Sequence, residues 1–405
     1  MKAYERLLEY VKYNTQSDEH SGTHPSSPKE FELAKRLKAE LGDLGITAEI
    51  DDKCYLMAKI PATKGYENVP VYGFIAHMDT SPSYSGEGVK PVIRKSYDGG
   101  DVSYPNGSVM STKEFPFLAK LAGQTLITSD GSTLLGADDK AGISEIMTAV
   151  ESLIRDNIPH GPLAIAFTPD EEIGEGADHF DVQKFGADYA YTVDGGDVCD
   201  IEYENFNAAD AVIEIKGVSV HPGTAKNIMI NAANVAHEFH SMLPKGSRPE
   251  HTEGYEGFYH LTDITADCNT AKLHYIVRDH DKEKFTRMKD HLLDCVRKIN
   301  DLYKDGTATI TLNDSYYNMY DKIKEHMHLI ETAKCAIRSA GLEPVDVPIR
   351  GGTDGARLSY MGLPCPNLGT GGFNYHGPFE CTSAERMDDA VSVILGIIQL
   401  VATQK

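Results

Sequence analysis

The chain has 405 residues, of which 41% are hydrophobic, and this length is more than one compact core usually organises. We therefore expect two domains in a protein of enzyme size. The 39 Lys and Arg residues against 61 Asp and Glu residues give a formal net charge of −22. A surface this acidic repels nucleic-acid phosphates and anionic membranes, which excludes both as expected partners, and it is compatible with solubilisation or with a cationic substrate amine.

Cysteine usage and the N-terminal sequence predict a cytoplasmic protein. The seven cysteines form an odd set without a Cys-x-x-Cys pair, which favours reduced thiols over a disulfide framework or sulfur-bound zinc. Residues 1–16 have the pattern of an amphipathic helix and lack the apolar segment of a signal peptide. The sequence also contains no uncharged apolar run of about 18 residues, so no membrane-spanning helix is predicted.

The first part of the chain alternates predicted helices and strands. A capping box at residues 27–30 predicts the start of a helix that ends near Gly42. Further along, apolar runs predict strands at residues 71–76, 163–167 and 189–193, and helical periodicity predicts a helix at residues 141–154. This alternation indicates an α/β fold with a mainly parallel sheet flanked by helices.

The pattern changes between about residues 209 and 313. The predicted order there is strand, helix, strand, strand, helix, strand, at residues 211–215, 227–242, 258–264, 273–277, 281–303 and 308–312. This is the order of a ferredoxin-like α+β unit. We therefore predict that residues 209–313 form a second domain inserted into a first domain made of residues 1–208 and 314–405. The last part contains a helix around residues 323–340, a glycine-rich stretch at 350–377 and a final helix after a capping box at 382–385.

Polar side chains with metal-binding potential follow the three apolar runs of the first domain. They are His77 and Asp79 after the first run, Asp170, Glu171 and Glu172 after the second, and Asp194 after the third. Because the carboxyl ends of parallel strands line one crevice, we expect these groups to converge. A further acidic pair, Asp138 and Asp139, precedes the helix predicted at residues 141–154 and lies at the positive end of its dipole.

Several carboxylates in one crevice favour a bound cation, because without one they repel and raise each other's pKa values. Imidazole and carboxylate ligands without a thiolate suit zinc, manganese or cobalt, and a shared carboxylate can hold two ions about 3.5 to 4 Å apart. Two such ions lower the pKa of a bridging water toward about 7 and stabilise an oxyanion. Each group taken alone is more often a surface pair or an acidic turn, and the hypothesis depends on their combination.

Two glycine-rich segments, residues 350–355 and 369–377, permit close backbone approach to a ligand, and the second contains His376. Ordinary loops are an equally good interpretation of both. Neither is a phosphate-binding loop, since no Gly-Lys-Ser/Thr follows at Walker spacing. His221 follows a strand of the inserted domain, and its spacing leaves open a structural role or delivery to an active site.

These segments together resemble the peptidase T family of tripeptide aminopeptidases, which belongs to the co-catalytic dinuclear zinc peptidases together with carboxypeptidase G. The resemblance covers essentially the whole chain, and the motifs that carry it are residues 73–82, 135–142, 167–172, 191–196, 221–226 and 374–377. It implies release of the N-terminal residue of a short peptide by a water that bridges two metal ions. It also implies a zinc-peptidase-like catalytic domain, an inserted lid and dimerisation domain, and a homodimer.

The resemblance further implies a set of metal ligands, two divalent ions per subunit and zinc as the usual metal. The implied ligands are Asp138 bridging both ions, His77 and Asp194 at one ion, and Glu172 and His376 at the other. Asp138 and Asp139 are adjacent, and physical reasoning from the sequence alone leaves open which of them is the bridge.

The remaining implied roles belong to residues beside the metals. Asp79 is expected to orient His77, and Glu171 is expected to be the general base that passes a proton to the leaving amine. His221 is expected to stabilise the oxyanion, in this family often from the partner subunit, and Arg350 to bind the carboxylate end of the substrate.

Two alternative functions remain open at this stage. A related dinuclear-metal carboxypeptidase or N-acyl amino acid deacylase fits the same ligands, because the metal chemistry does not depend on which amide is cleaved. The other alternative is a metal-binding or interaction protein in which the inserted domain is the functional part.

Overall fold

The computed structural model describes residues 1–403, which form two compact units. Among the described residues, the first unit consists of Met1–Tyr203, Asp321–Val347 and 353–403. The second consists of Glu204–Tyr320 and Pro348–Gly352, and the segment 209–313 that the sequence assigns to an inserted domain lies within it.

A mixed sheet of eight strands forms the centre of the first unit. In spatial order the strands are Ala48–Ile50, Leu56–Ile60, Leu163–Thr168, Tyr72–His77, Tyr189–Gly195, Asn367–Gly369, Asp200–Glu202 and Val345–Asp346. The four strands from Leu163–Thr168 to Asn367–Gly369 run parallel, and antiparallel strands join them on both sides. The predicted α/β class with a mainly parallel sheet is therefore confirmed, with antiparallel strands added toward the edges.

Helices flank this sheet. The α-helices of the first unit are Ala3–Tyr10, Glu30–Asp43, Ala137–Arg155, Val182–Phe185, His328–Ser339, Asp354–Tyr360 and Ala384–Thr403, and Tyr320–Ile323 is a single turn where the chain returns from the second unit. Short 3-10 helices occur at Pro116–Leu121 and Glu171–Ile173. Ile75 and Ala166 pack with Phe185 and Leu358 on one face of the sheet, and alternate side chains point to the opposite face.

Two small antiparallel sheets complete the first unit. One contains Val92–Arg94, Leu126–Thr128, Cys381–Ser383 and Gly372–Phe373, and the other pairs Val102–Ser103 with Val109–Met110. Strands of two or three residues are too short to show a period, which is why the sequence did not predict them.

The second unit is a four-stranded antiparallel sheet with two main helices. In spatial order its strands are Phe258–Ala266, Thr270–Asp279, Asn207–Lys216 and Ala308–Tyr316, and its α-helices are Ala232–Ser241 and Lys282–Leu302. Pro222–Thr224 and Pro249–His251 are short 3-10 helices. One face of the sheet packs on both helices through Ile213, Phe239 and Leu292. This arrangement is the predicted ferredoxin-like topology.

No helix within residues 1–403 is long and apolar enough to cross a membrane. The seven cysteines are all free thiols.

Candidate metal centre

The candidate site lies where three neighbouring parallel strands end. Tyr72–His77 ends at His77, Leu163–Thr168 leads into the turn Glu171–Ile173, and Tyr189–Gly195 carries Asp194. Because the strand ending at His77 lies between the other two, all three carboxyl ends open on the same edge of the sheet.

Asp138 lies between two histidines at this edge. His77 Nε2 is 2.9 Å from Asp138 Oδ1, and His376 Nε2 is 3.1 Å from Asp138 Oδ2. Asp194 Oδ1 is 3.4 Å from His77 Nε2, and Glu172 Oε2 is 2.9 Å from His376 Nε2. The result is two groups of three possible metal ligands that share one carboxylate.

A non-helical break at the start of the segment Ala137–Arg155 separates the two adjacent aspartates. Asp138 and Asp139 have non-helical φ/ψ angles, and the peptide bond between them is cis. Asp139 accepts hydrogen bonds from the N–H of His77 at 3.2 Å and of Gly142 at 3.1 Å, so backbone donors occupy its carboxylate. Only Asp138 of the pair faces both histidines, and the geometry therefore favours Asp138 as the shared ligand.

Asp79 connects the His77 ring to the turn that carries Glu171 and Glu172. Nδ1 of His77 lies 3.1 Å from the Asp79 carbonyl oxygen and 3.2 Å from its Oδ1, so Asp79 fixes the orientation of the ring and turns Nε2 toward Asp138. The same buried carboxylate accepts the N–H of Glu171 at 3.0 Å and of Glu172 at 3.1 Å.

The electrostatics of the site fit a cation. Burial raises the pKa of Asp194 to about 6, and burial together with the charge of Asp138 raises the pKa of Glu172 to about 7. Hydrogen bonds to Asp138 and Glu172 raise the pKa of His376 to about 11, and burial followed by the charge of Asp194 raises the pKa of Glu171 well above its usual range. Glu172 Oε1 is buried, and within residues 1–403 it has no hydrogen-bond partner. A donor set of imidazole nitrogens and carboxylate oxygens suits divalent cations of the zinc type.

Comparison with known proteins gives the family. A model of the peptidase dimerisation domain matches residues 203–305. The peptidase T of Caldanaerobacter subterraneus subsp. tengcongensis is 52% identical over 403 residues, which cover 98% of each chain. That of Clostridium perfringens is 53% identical over 403 residues, which cover 99% of each chain. The chain belongs to the peptidase T family. The predicted family and the prediction of a hydrolase are confirmed.

Solved structures share the fold of this peptidase T family member. The aminopeptidase PepT from Bacillus cereus superposes with a TM-score of 0.80 at 24% identity, covering 99% of this chain and 98% of that chain. A dinuclear metal-binding peptidase of the M20 family from Bacillus subtilis gives a TM-score of 0.68 at 16% identity, covering 100% of this chain and 98% of that chain. At these identities the likeness shows the fold alone.

Two residues that the resemblance links to substrate, His221 and Arg350, belong to the second unit of this peptidase T family member. His221 is exposed, and its Nδ1 accepts the N–H of Gly223 at 3.1 Å. Nη1 of Arg350 donates to the carbonyl oxygens of Gly254 at 2.7 Å and Glu256 at 3.0 Å. Nη2 donates to Thr252 Oγ1 at 2.9 Å, so both terminal nitrogens of the guanidinium group that is predicted to bind a substrate carboxylate already have acceptors within the protein.

Glu380 is a residue of this peptidase T family member that sequence reasoning missed. Its Oε2 accepts the N–H groups of Leu135 and Gly136, both at 2.8 Å, and its Oε1 accepts the N–H of Asp138 at 2.9 Å. Burial raises the pKa of Glu380 to about 7, against the lowering effect of these backbone bonds. Glu380 therefore fixes the backbone that presents Asp138, and no motif in the sequence marked it.

Asp354 is a second missed acidic residue. It is buried, and its Oδ2 accepts a hydrogen bond from Thr168 Oγ1, at the end of a central strand, at 3.1 Å. Burial raises its pKa to about 7. Gly176 permits this approach, because a Cβ there would lie 2.3 Å from Asp354 Oδ2. The motif Gly351-Gly352-Thr353-Asp354 was available in the sequence, but an ordinary loop was an equally good interpretation of it.

Proposed function

We propose that this peptidase T family member is a tripeptide aminopeptidase that binds two divalent cations at Asp138. Zinc is the metal that we propose for both positions. The observation that carries the proposal is the pair of ligand groups sharing that carboxylate, with one oxygen directed at each histidine. The relatives named peptidase T support the peptide substrate, and the Bacillus subtilis neighbour described as dinuclear supports the number of ions.

In this proposal each ion has three protein ligands. Asp138, His77 and Asp194 hold one ion, and Asp138, Glu172 and His376 hold the other. Two divalent cations at these positions supply Lewis acidity, which acidifies a water molecule and offsets negative charge on the substrate carbonyl oxygen.

Glu171 is the proposed proton carrier. Glu171 is adjacent to the proposed ligand Glu172, and its main-chain N–H is held by Asp79. Its carboxyl group is not one of the proposed ligands, so it can accept and donate a proton while Glu172 binds a metal ion. Burial raises its pKa well above the usual range, which suits a group that must take a proton and release it again. Glu171 removes a proton from the attacking water as the new C–O bond forms. It delivers that proton to the amine nitrogen as the C–N bond breaks.

We also infer a homodimer that forms through the second unit. The region matched by the dimerisation-domain model includes Phe258–Ala266, an edge strand that ends in exposed residues with Ile264 48% exposed. An unpaired edge with an apolar side chain favours association with a second chain. His221 then acts on the oxyanion of its own subunit or of the partner, and Arg350 on the substrate carboxylate. Free thiols throughout support a cytoplasmic location.

The substrate class is tested with three forms of one tripeptide: free, N-acetylated and C-terminally amidated. The proposal predicts that the free tripeptide is cleaved at its first bond and that the acetylated form resists. Cleavage of the acetylated form but not the free form would favour the deacylase alternative, and release of the C-terminal residue would favour the carboxypeptidase.

The catalytic assignment is tested with Glu171→Gln, which keeps the size of the side chain and removes its ability to take a proton. We expect turnover to fall by roughly 10²- to 10⁴-fold, the range of general acid–base catalysis, with the metal content unchanged. Glu87→Gln at an exposed position of the first unit is the matched control. Equal activity of the two variants would favour the interaction-protein alternative.

A further inference from the structure

A third cluster of possible ligands lies apart from the Asp138 centre. It consists of His24, Asp170 and Glu175. His24 and Glu175 line an open cavity of about 600 Å³ in the first unit, and Asp170 is fully buried. The cavity is also lined by Asp18, Glu19, His179 and Lys53, so on its wall three carboxylates face one lysine. None of these residues has a role in the mechanism proposed above.

The His24 side chain is the informative member of the cluster. It is only 7% exposed, yet neither ring nitrogen has a hydrogen-bond partner among the described residues. Leaving a buried polar side chain without a partner costs about 1 to 3 kcal/mol, so a buried imidazole directed at two carboxylates indicates a missing ligand.

The distances fit the coordination shell of a small divalent cation. Nδ1 of His24 lies 3.3 Å from Asp170 Oδ2 and 3.8 Å from Glu175 Oε2. Two ligand atoms that each lie about 2.1 Å from a tetrahedral zinc ion are about 3.4 Å apart. The carboxylate of Asp170 is held in place by the N–H of Ser26, at 3.0 and 2.8 Å from its two oxygens.

We propose that His24, Asp170 and Glu175 bind an additional divalent cation of the zinc class, with its remaining coordination position open to the cavity. One imidazole and two carboxylates neutralise a doubly charged ion. The donor set contains no sulfur, as at the Asp138 centre.

This cation would clamp the turn that carries Glu171 and Glu172. The turn begins after Asp170 and closes at Glu175, whose N–H donates to the Asp170 carbonyl oxygen at 3.0 Å. A single ion bound by both residues and by His24 ties the two ends of the turn to the segment around Ser26. The additional ion would therefore stabilise the turn that carries Glu171 and Glu172, and its proposed role is structural.

The experiment is elemental analysis with equilibrium dialysis of the full-length protein against Zn²⁺. We expect Glu175→Gln and His24→Gln each to bind one ion per chain fewer than the wild type, or to bind one ion at least about tenfold more weakly. Glu175 is half exposed at its side chain, so its variant folds even if the His24 variant does not. Glu19→Gln, which removes the same charge from the same cavity wall, is the matched control and retains every ion.

Equal zinc content in the wild type, Glu175→Gln and His24→Gln would overturn the proposal and leave a simple pairing of His24 with Asp170. Equal loss in Glu19→Gln would overturn it as well, because the cavity would then attract cations without a defined site. The test is independent of the Asp138 centre. If the Asp138 centre held no ion, the wild type would still bind one zinc ion per chain more than Glu175→Gln.

Discussion

Gly142 is the position where one added methyl group should damage both stability and the metal centre. A Cβ on Gly142 would lie 1.9 Å from the carbonyl oxygen of Val193 and 2.5 Å from Asp139 Oδ1. Cβ atoms in proteins essentially never lie closer than 3.0 Å to a non-bonded heavy atom. The helix Ala137–Arg155 must therefore move away from the strand Tyr189–Gly195 by about 1 Å. The atoms in the way are a backbone carbonyl and a carboxylate held by hydrogen bonds, and neither can rotate aside.

The cost follows from this displacement. Overpacking of a well-packed interior costs about 1 to 3 kcal/mol and occasionally more, and the gain in helix propensity from Gly to Ala recovers about 0.5 to 1 kcal/mol. Because the 1.9 Å approach to a backbone carbonyl oxygen places the cost at the upper end of its range, we expect Gly142→Ala to lose about 2 kcal/mol of stability. Since Val193 precedes Asp194 and the helix start carries Asp138, a 1 Å shift exceeds the tolerance of about 0.5 Å for a functional site. Metal affinity should therefore fall together with stability.

Gly42→Ala is the matched control. It makes the same chemical change near the end of the helix Glu30–Asp43, where a Cβ meets nothing within 4 Å. We expect Gly42→Ala to raise the midpoint of thermal unfolding slightly and Gly142→Ala to lower it by several degrees, measured at equal metal concentration. A Gly142→Ala protein that unfolds within about 1 °C of the control and binds the same amount of metal would refute the argument.

Two further predictions concern carboxylates with more than one partner. Asp79→Asn places an amide where N–H donors of Glu171 and Glu172 approach, so we expect activity or metal affinity to fall about 10- to 100-fold in steady-state kinetics and metal titration. An effect below about threefold would contradict this role. Burial alone would raise the pKa of Glu151, but hydrogen bonds from the Met1 ammonium and Arg6 lower it from 4.5 to about 2. The ionised Glu151 carboxylate therefore stabilises the folded protein above pH 4.5, and this contribution is lost as the pH falls toward 2. Between pH 4.5 and 2 the thermal midpoint of Glu151→Gln should depend less on pH than that of the wild type.

Much of the fold could be predicted because the central strands are buried on both faces. Tyr72–His77 and Leu163–Thr168 are buried at every residue, which gives continuous apolar runs that are easily recognised. The alternating strands and long helices of the second unit are equally clear. The spatial order of the strands, the antiparallel additions at the edges and the small sheets depend on long-range pairing, and a single sequence carries no local pattern for these features.

The candidate site was predictable only in part for the same reason. Ligand-type residues at the carboxyl end of a buried strand, such as His77 and Asp194, can be found because the strand itself can be found. Glu380 acts through three backbone N–H groups of a distant segment, and nothing in its local sequence reports that contact. The choice between Asp138 and Asp139 depends on backbone angles that residue types do not determine.

The five proposed metal ligands lie far apart along the chain, from His77 to His376, with the whole second unit between Asp194 and His376. During synthesis the ribosome must therefore produce more than nine-tenths of the polypeptide before the second ligand group can be completed. A nascent or truncated chain that ends before residue 376 contains the His77 group but not its counterpart. With the proposed ligand set, we therefore expect a chain that ends before residue 376 to cleave no peptides, because one of its two metal sites is incomplete.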